Sequence, residues 1–119
     1  MQKYTILIVD DEIEFRDEIT EILENSYYAE FEFLHAISGK SALEVVKKIT
    51  PDIILTDWHM PEMNGIELIE KLKDYPETTE IPVIMITGVM TSPKDLEHAF
   101  NLDVVDFVRK PIEKTELVA

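Results

Sequence analysis

The chain has 119 residues, 45% hydrophobic and 30% charged, enough for one compact domain and too short for two ordinary ones. Its 11 basic and 25 acidic side chains leave a formal net charge of −14, an acidic surface that repels nucleic-acid phosphates and argues against direct nucleic-acid binding. Cysteine is absent, which rules out a disulfide framework, and no apolar run approaches the ~20 residues of a membrane-spanning helix, so a cytoplasmic protein without membrane contact is expected.

Short apolar, β-branched runs alternate with longer segments of helical period, in five rounds without internal repeats. Tyr4–Val9 reads as the first strand, followed by a helical stripe of Phe15, Ile19, Ile22 and Leu23. Phe31–Ala36 is the second strand, and Ala42, Leu43, Val46 and Ile49 form the next stripe. After a third strand at Ile53–Thr56, Asn64 followed by Glu67 has the pattern of a helix cap ahead of Ile66, Ile69 and Leu72. Val83–Ile86 is the fourth strand, and Ser92-Pro93-Lys94-Asp95 sets a cap, a first-turn proline and an acid in order. Asp106–Val108 is the fifth. The last segment, Glu113 to Ala119, has room for about two turns, short for a helix covering a sheet edge, so the natural protein is expected to continue past Ala119. This rhythm predicts a parallel α/β sheet in a single domain over residues 1–119, with the nearly all-apolar strands central and covered on both faces.

In a parallel sheet the residues at the strand ends converge on one edge, where ligands bind. Here they are Asp10-Asp11, Asp57, Thr87-Gly88 and Lys110-Pro111. Three clustered carboxylates repel one another, and a divalent cation is the natural remedy. Oxygen donors without Cys or paired His favour a hard ion, and a small open cluster suits Mg²⁺ better than a Ca²⁺ cage. Such a cation together with Lys110 would offset charge on a transferring phosphoryl group, for which Asp57 would be the in-line nucleophile. Thr87 can donate a hydrogen bond to a phosphoryl oxygen, and Gly88 leaves room for its approach.

Four motifs carry a family resemblance. They are Ile6-Leu7-Ile8-Val9-Asp10-Asp11-Glu12, Asp57-Trp58-His59-Met60-Pro61-Glu62-Met63-Asn64-Gly65, Val83-Ile84-Met85-Ile86-Thr87-Gly88 and Asp106-Phe107-Val108-Arg109-Lys110-Pro111. In this order and spacing the chain resembles the receiver domain of two-component response regulators. The resemblance implies a flavodoxin-like, doubly wound five-stranded parallel sheet of order 2-1-3-4-5, and phosphoryl transfer from a sensor histidine kinase or phosphotransfer protein to an aspartate. It also implies Asp57 as phosphoacceptor, with Mg²⁺ held by Asp10, Asp11, Asp57 and the backbone carbonyl of His59. Lys110 matches the phosphate-binding lysine, before a cis Pro111, and Thr87 and Phe107 match a switch pair that remodels the fourth helix and fifth strand. That surface would serve an output domain or a homodimer. Departures from the family pattern are Asp103-Val104, where Gly-Ala is common, and Phe107, which lacks a tyrosine hydroxyl.

Plainer readings stand beside these. An Asp-Asp pair before a helix often serves as a cap, an isolated Phe107 as core, and a strand-end Thr87 as a terminator. His59 has no partner at ligand spacing and reads as an exposed loop residue near the acceptor. Trp58, Met60, Met63, Met85 and Met90 read as packing or partner-surface residues. The competing functions are a phosphorylation-independent pseudo-receiver and an aspartyl-nucleophile phosphatase. The complete set of acids and lysine argues against the first, and His59 where an acid is usual, with no room for a cap domain, argues against the second. The chain is expected to catalyse only its own phosphorylation and dephosphorylation.

Overall fold

The computed structural model describes residues 3–25, 30–60, 62–87, 92–102 and 104–109. Strands and helices alternate as β1 (Lys3–Val9), α1 (Ile13–Glu24), β2 (Glu30–Ala36), α2 (Gly39–Lys48), β3 (Ile53–Asp57), α3 (Gly65–Lys73), β4 (Val83–Thr87), α4 (Pro93–Asn101) and β5 (Asp106–Arg109). All pairings are parallel, in the spatial order β2-β1-β3-β4-β5. The order reverses beside β1, where the chain runs outward to β2 and returns to β3 on the other side.

Side chains alternate across a strand, so each strand serves two cores. Leu7, Val9, Ile54, Val83 and Met85 pack on one side with Ala42 and Val46 of α2, Leu68, Ile69 and Leu72 of α3, and Ala99 of α4. Ile6, Ile8, Leu55, Ile86 and Val108 pack on the other with Phe15, Ile19 and Leu23 of α1. Helices therefore cover both faces, and each fully buried Leu or Ile contributes roughly 1.5–3 kcal/mol.

The helix starts carry their own signals. Asn64 Oδ1 accepts from the Glu67 amide at 2.9 Å while Glu67 Oε1 accepts from the Asn64 amide at 3.2 Å, closing the expected capping box of α3. Ser92 accepts from the Asp95 amide at 3.1 Å, with Pro93 in the first turn of α4. A second capping box, Ser38 with Ser41 at the start of α2, was not anticipated.

Two expectations change in detail. Ile49 is 50% exposed, because it is the C-cap of α2, with extended backbone, and the helical stripe ends before it. Asp57 and Thr87 are the last residues of their strands rather than the first beyond them, because pairing continues to Asp57 with Ile86 and to Thr87 with Arg109. The segment expected as a last helix, Asp103, Met90 and the Lys110-Pro111 bond lie outside the described residues.

Candidate functional site

The register of the sheet builds the site. Val9 of β1 lies opposite Thr56 of β3, so the next residue of each chain, Asp10 and Asp57, are neighbours at the same edge. Main-chain bonds extend the ladder past both: Asp10 N–H donates to Ala36 at 3.0 Å, and Trp58 N–H donates to Ile86 at 2.9 Å. Both acids are thus held by backbone on each side, and both are buried, Asp10 at 1% and Asp57 at 5% exposure.

Asp11 and Glu12 follow on the exposed turn into α1. One carboxylate oxygen from each of Asp10, Asp11, Glu12 and Asp57 lies within 4.8 Å of the others. Four acids at that separation, two of them buried, attract a cation. All donors are carboxylate oxygens, and this set fits a hard divalent ion such as Mg²⁺. Glu12 was missed as a member, although the unbroken acidic run Asp10-Asp11-Glu12 was its signal. Asp10 also has a structural duty, though not the cap of the plainer reading: its Oδ1 accepts from the amide of the N-cap residue Glu12 at 2.9 Å, closing the turn ahead of α1, and Glu12 makes no side-chain cap of its own.

Thr87 is buried at the end of β4, one position beyond Ile86, the residue paired with Asp57. His59 is exposed in the turn after β3, its ring stacked near Trp58 with centroids 6.4 Å apart. Trp58 and Met60 are buried in the α2–α4 core, and Met85 is wholly buried there, as packing residues. Phe107 lies on β5 opposite Met85, and its side chain is outside the description. Gly88, Lys110 and Pro111 also lie outside the described residues. No helix among the described residues is long and apolar enough to cross a membrane.

The family described as "Response regulator receiver domain" matches residues 6–119. The phosphate regulon transcriptional regulatory protein PhoB of Pseudomonas aeruginosa is 38% identical over 115 residues, covering 97% of this chain and 48% of PhoB. The response regulator PleD of Caulobacter vibrioides is 38% identical over 114 residues, covering 96% of this chain and 24% of PleD. The chain spans less than half the length of these relatives. Among solved structures, chemotaxis protein CheY4 of Vibrio cholerae superposes with a TM-score of 0.86 at 25% identity, covering 98% of this chain and 93% of CheY4. The N-terminal domain of a response regulator receiver protein from Methanoculleus marisnigri gives 0.80 at 32% identity, covering 96% and 89%. The chain belongs to the response regulator receiver domain family of two-component signal transduction.

Proposed function

We propose that the chain is one receiver module that accepts a phosphoryl group on Asp57 in a Mg²⁺-dependent reaction and signals through the phosphorylated state. The observation that supports this most is the placement of buried Asp57 at a strand end, with carboxylate oxygens of Asp10, Asp11 and Glu12 within 4.8 Å. A carboxylate oxygen of Asp57 attacks phosphorus, the bond from phosphorus to the donor breaks, and the donor leaves with that electron pair. Asp10, Asp11, Asp57 and the His59 carbonyl would hold a divalent cation, which would supply positive charge against the phosphoryl oxygens. Lys110 would supply a second counter-charge, and Thr87 with Gly88 would receive the phosphoryl oxygens.

Signalling needs two packed states that respond differently to the new charge. Thr87 and Phe107 are the pair for this role, altering the surface of α4 and β5. A shift from 1:99 to 99:1 takes about 5.5 kcal/mol, more than one hydrogen bond provides, so Thr87, Lys110 and the cation act jointly. The phosphoryl donor would be a histidine kinase or phosphotransfer protein. PhoB and PleD are longer proteins of this family, and by analogy an output domain or homodimer would read the α4 and β5 surface.

Incubation with acetyl phosphate, with and without Mg²⁺, tests the reading. Stable modification that needs Mg²⁺ and disappears in Asp57→Asn is expected. Absence of modification by any donor, including a kinase, points to a pseudo-receiver, and fast turnover without accumulating phosphoprotein points to a phosphatase.

A further inference from the structure

Gly65 opens α3 eight positions after Asp57, and its backbone comes back against the acceptor residue. A Cβ built there would stand 2.7 Å from the main-chain carbonyl oxygen of Asp57 and 2.7 Å from Cε of Met85. No described glycine has a positive φ, so close approach and not backbone conformation demands glycine at this position. The Met85 terminus can swing aside, but the Asp57 carbonyl cannot.

That carbonyl is held from several directions. It accepts the Thr56 hydroxyl at 3.1 Å, and the N–H of the same peptide group, that of Trp58, is tied to β4 by a 2.9 Å bond to the Ile86 carbonyl. Gly65 N–H donates to the Trp58 carbonyl at 2.9 Å, so the first turn of α3 stands against Asp57 at the end of β3 and hydrogen-bonds Trp58 just beyond it. The helix start is itself pinned by the Asn64–Glu67 capping box. We propose that Gly65 is a positioning residue for Asp57: its bare Cα lets α3 seat against the Asp57 carbonyl, fixing the backbone from which the acceptor carboxylate projects. In-line transfer tolerates little displacement, and a shift of about 1 Å can slow a reaction about 100-fold. The inference rests on Asp57 being the phosphoryl acceptor.

The test measures the initial rate of phosphoryl incorporation from acetyl phosphate at saturating Mg²⁺, together with the position of the Trp58 amide cross-peak in a ¹H–¹⁵N spectrum. Gly65→Ala is expected to slow incorporation at least about tenfold and to move the Trp58 peak. Ile69→Val weakens the packing of the same helix without adding an atom near Asp57; it should lower the melting temperature while leaving the rate within about twofold and the Trp58 peak in place. The double variant Gly65→Ala/Met85→Leu removes the methionine Cε and leaves only the Asp57 carbonyl opposing the new methyl, so the slow rate should persist. Recovery of the wild-type rate in that double variant would place the effect in core packing and overturn the proposal. So would a normal rate in Gly65→Ala, an equal slowing in Ile69→Val, or loss of fold in both Gly65 variants, which would make the glycine simply structural. A wild-type protein that incorporates nothing defeats the acceptor reading itself. A competent wild type matched by Gly65→Ala defeats only the positioning role.

Discussion

The Oδ1 atom of Asp10 accepts from the main-chain amide of Glu12 at 2.9 Å, so the most buried acid of the cluster also closes the turn into α1. The two duties separate on substitution. Asp10→Asn keeps an acceptor for the Glu12 amide and removes one charge, whereas Asp10→Ala removes both. In EDTA, Asp10→Asn is expected to be at least as stable as wild type, because one of four clustered charges is gone, and Asp10→Ala to be about 1 kcal/mol less stable than Asp10→Asn. Urea denaturation of the three proteins checks the order.

Adding Mg²⁺ should stabilise the wild type, since a ligand that binds only the folded state at 100 times its Kd contributes about 2.7 kcal/mol. The gain should shrink strongly in both Asp10 variants and in Asp57→Asn. Equal Mg²⁺ gains in all four proteins, read from thermal melts, would remove the cluster from consideration as the cation site.

Glu62 lies in the turn between β3 and α3 with φ of 67°, the one non-glycine residue with positive φ among those described. The left-handed region costs an ordinary side chain about 1–2 kcal/mol, partly offset against glycine by the extra entropy glycine loses on folding. Glu62→Gly is therefore expected to stabilise the protein by about 0.5–1 kcal/mol. A lower urea midpoint in the variant would contradict this.

His35 on β2 is held below the ordinary imidazole value of 6.5 by partial burial first and by the Arg16 guanidinium second, with Asp17 opposing. The unfolded chain then binds the proton more readily than the folded one. Its contribution is present above pH 6.5 and is lost as pH falls through the lower folded value. Wild type should lose slightly more stability than His35→Gln between pH 7 and 5, a small difference because the side chain is largely exposed. Paired urea titrations across that range, with the variant subtracting the carboxylates common to both, measure it.

The strands were legible because each is a short apolar, β-branched run, and the order of Asp10, Asp11, Asp57 and Thr87 along the chain was enough to place those four residues at one edge. Strand ends were less legible. Asp57 and Thr87 read as breaks in apolar runs, yet a ladder bond is indifferent to side-chain polarity and continues through them. The Ser38–Ser41 capping box escaped notice because its reciprocal acceptor is a serine rather than the more familiar Glu or Gln. The contact of Gly65 with Asp57 had no local signal, since a glycine opening a helix is compatible with many turns and only the folded approach of two backbones shows why it is needed.

The sheet is also a partition wall. Among the described residues, the strands alone lie between the α1 half of the interior and the half built by α2, α3 and α4, so packing errors on one side have no short route to the other. Ile19→Val and Ile69→Val, one in each half, should cost about 0.5–1.5 kcal/mol apiece, and together the sum to within about 0.5 kcal/mol. Each compartment is then free to drift in sequence without waiting for compensation in the other. The residues that must change in concert are those at the rim and in the strands themselves, where both halves meet.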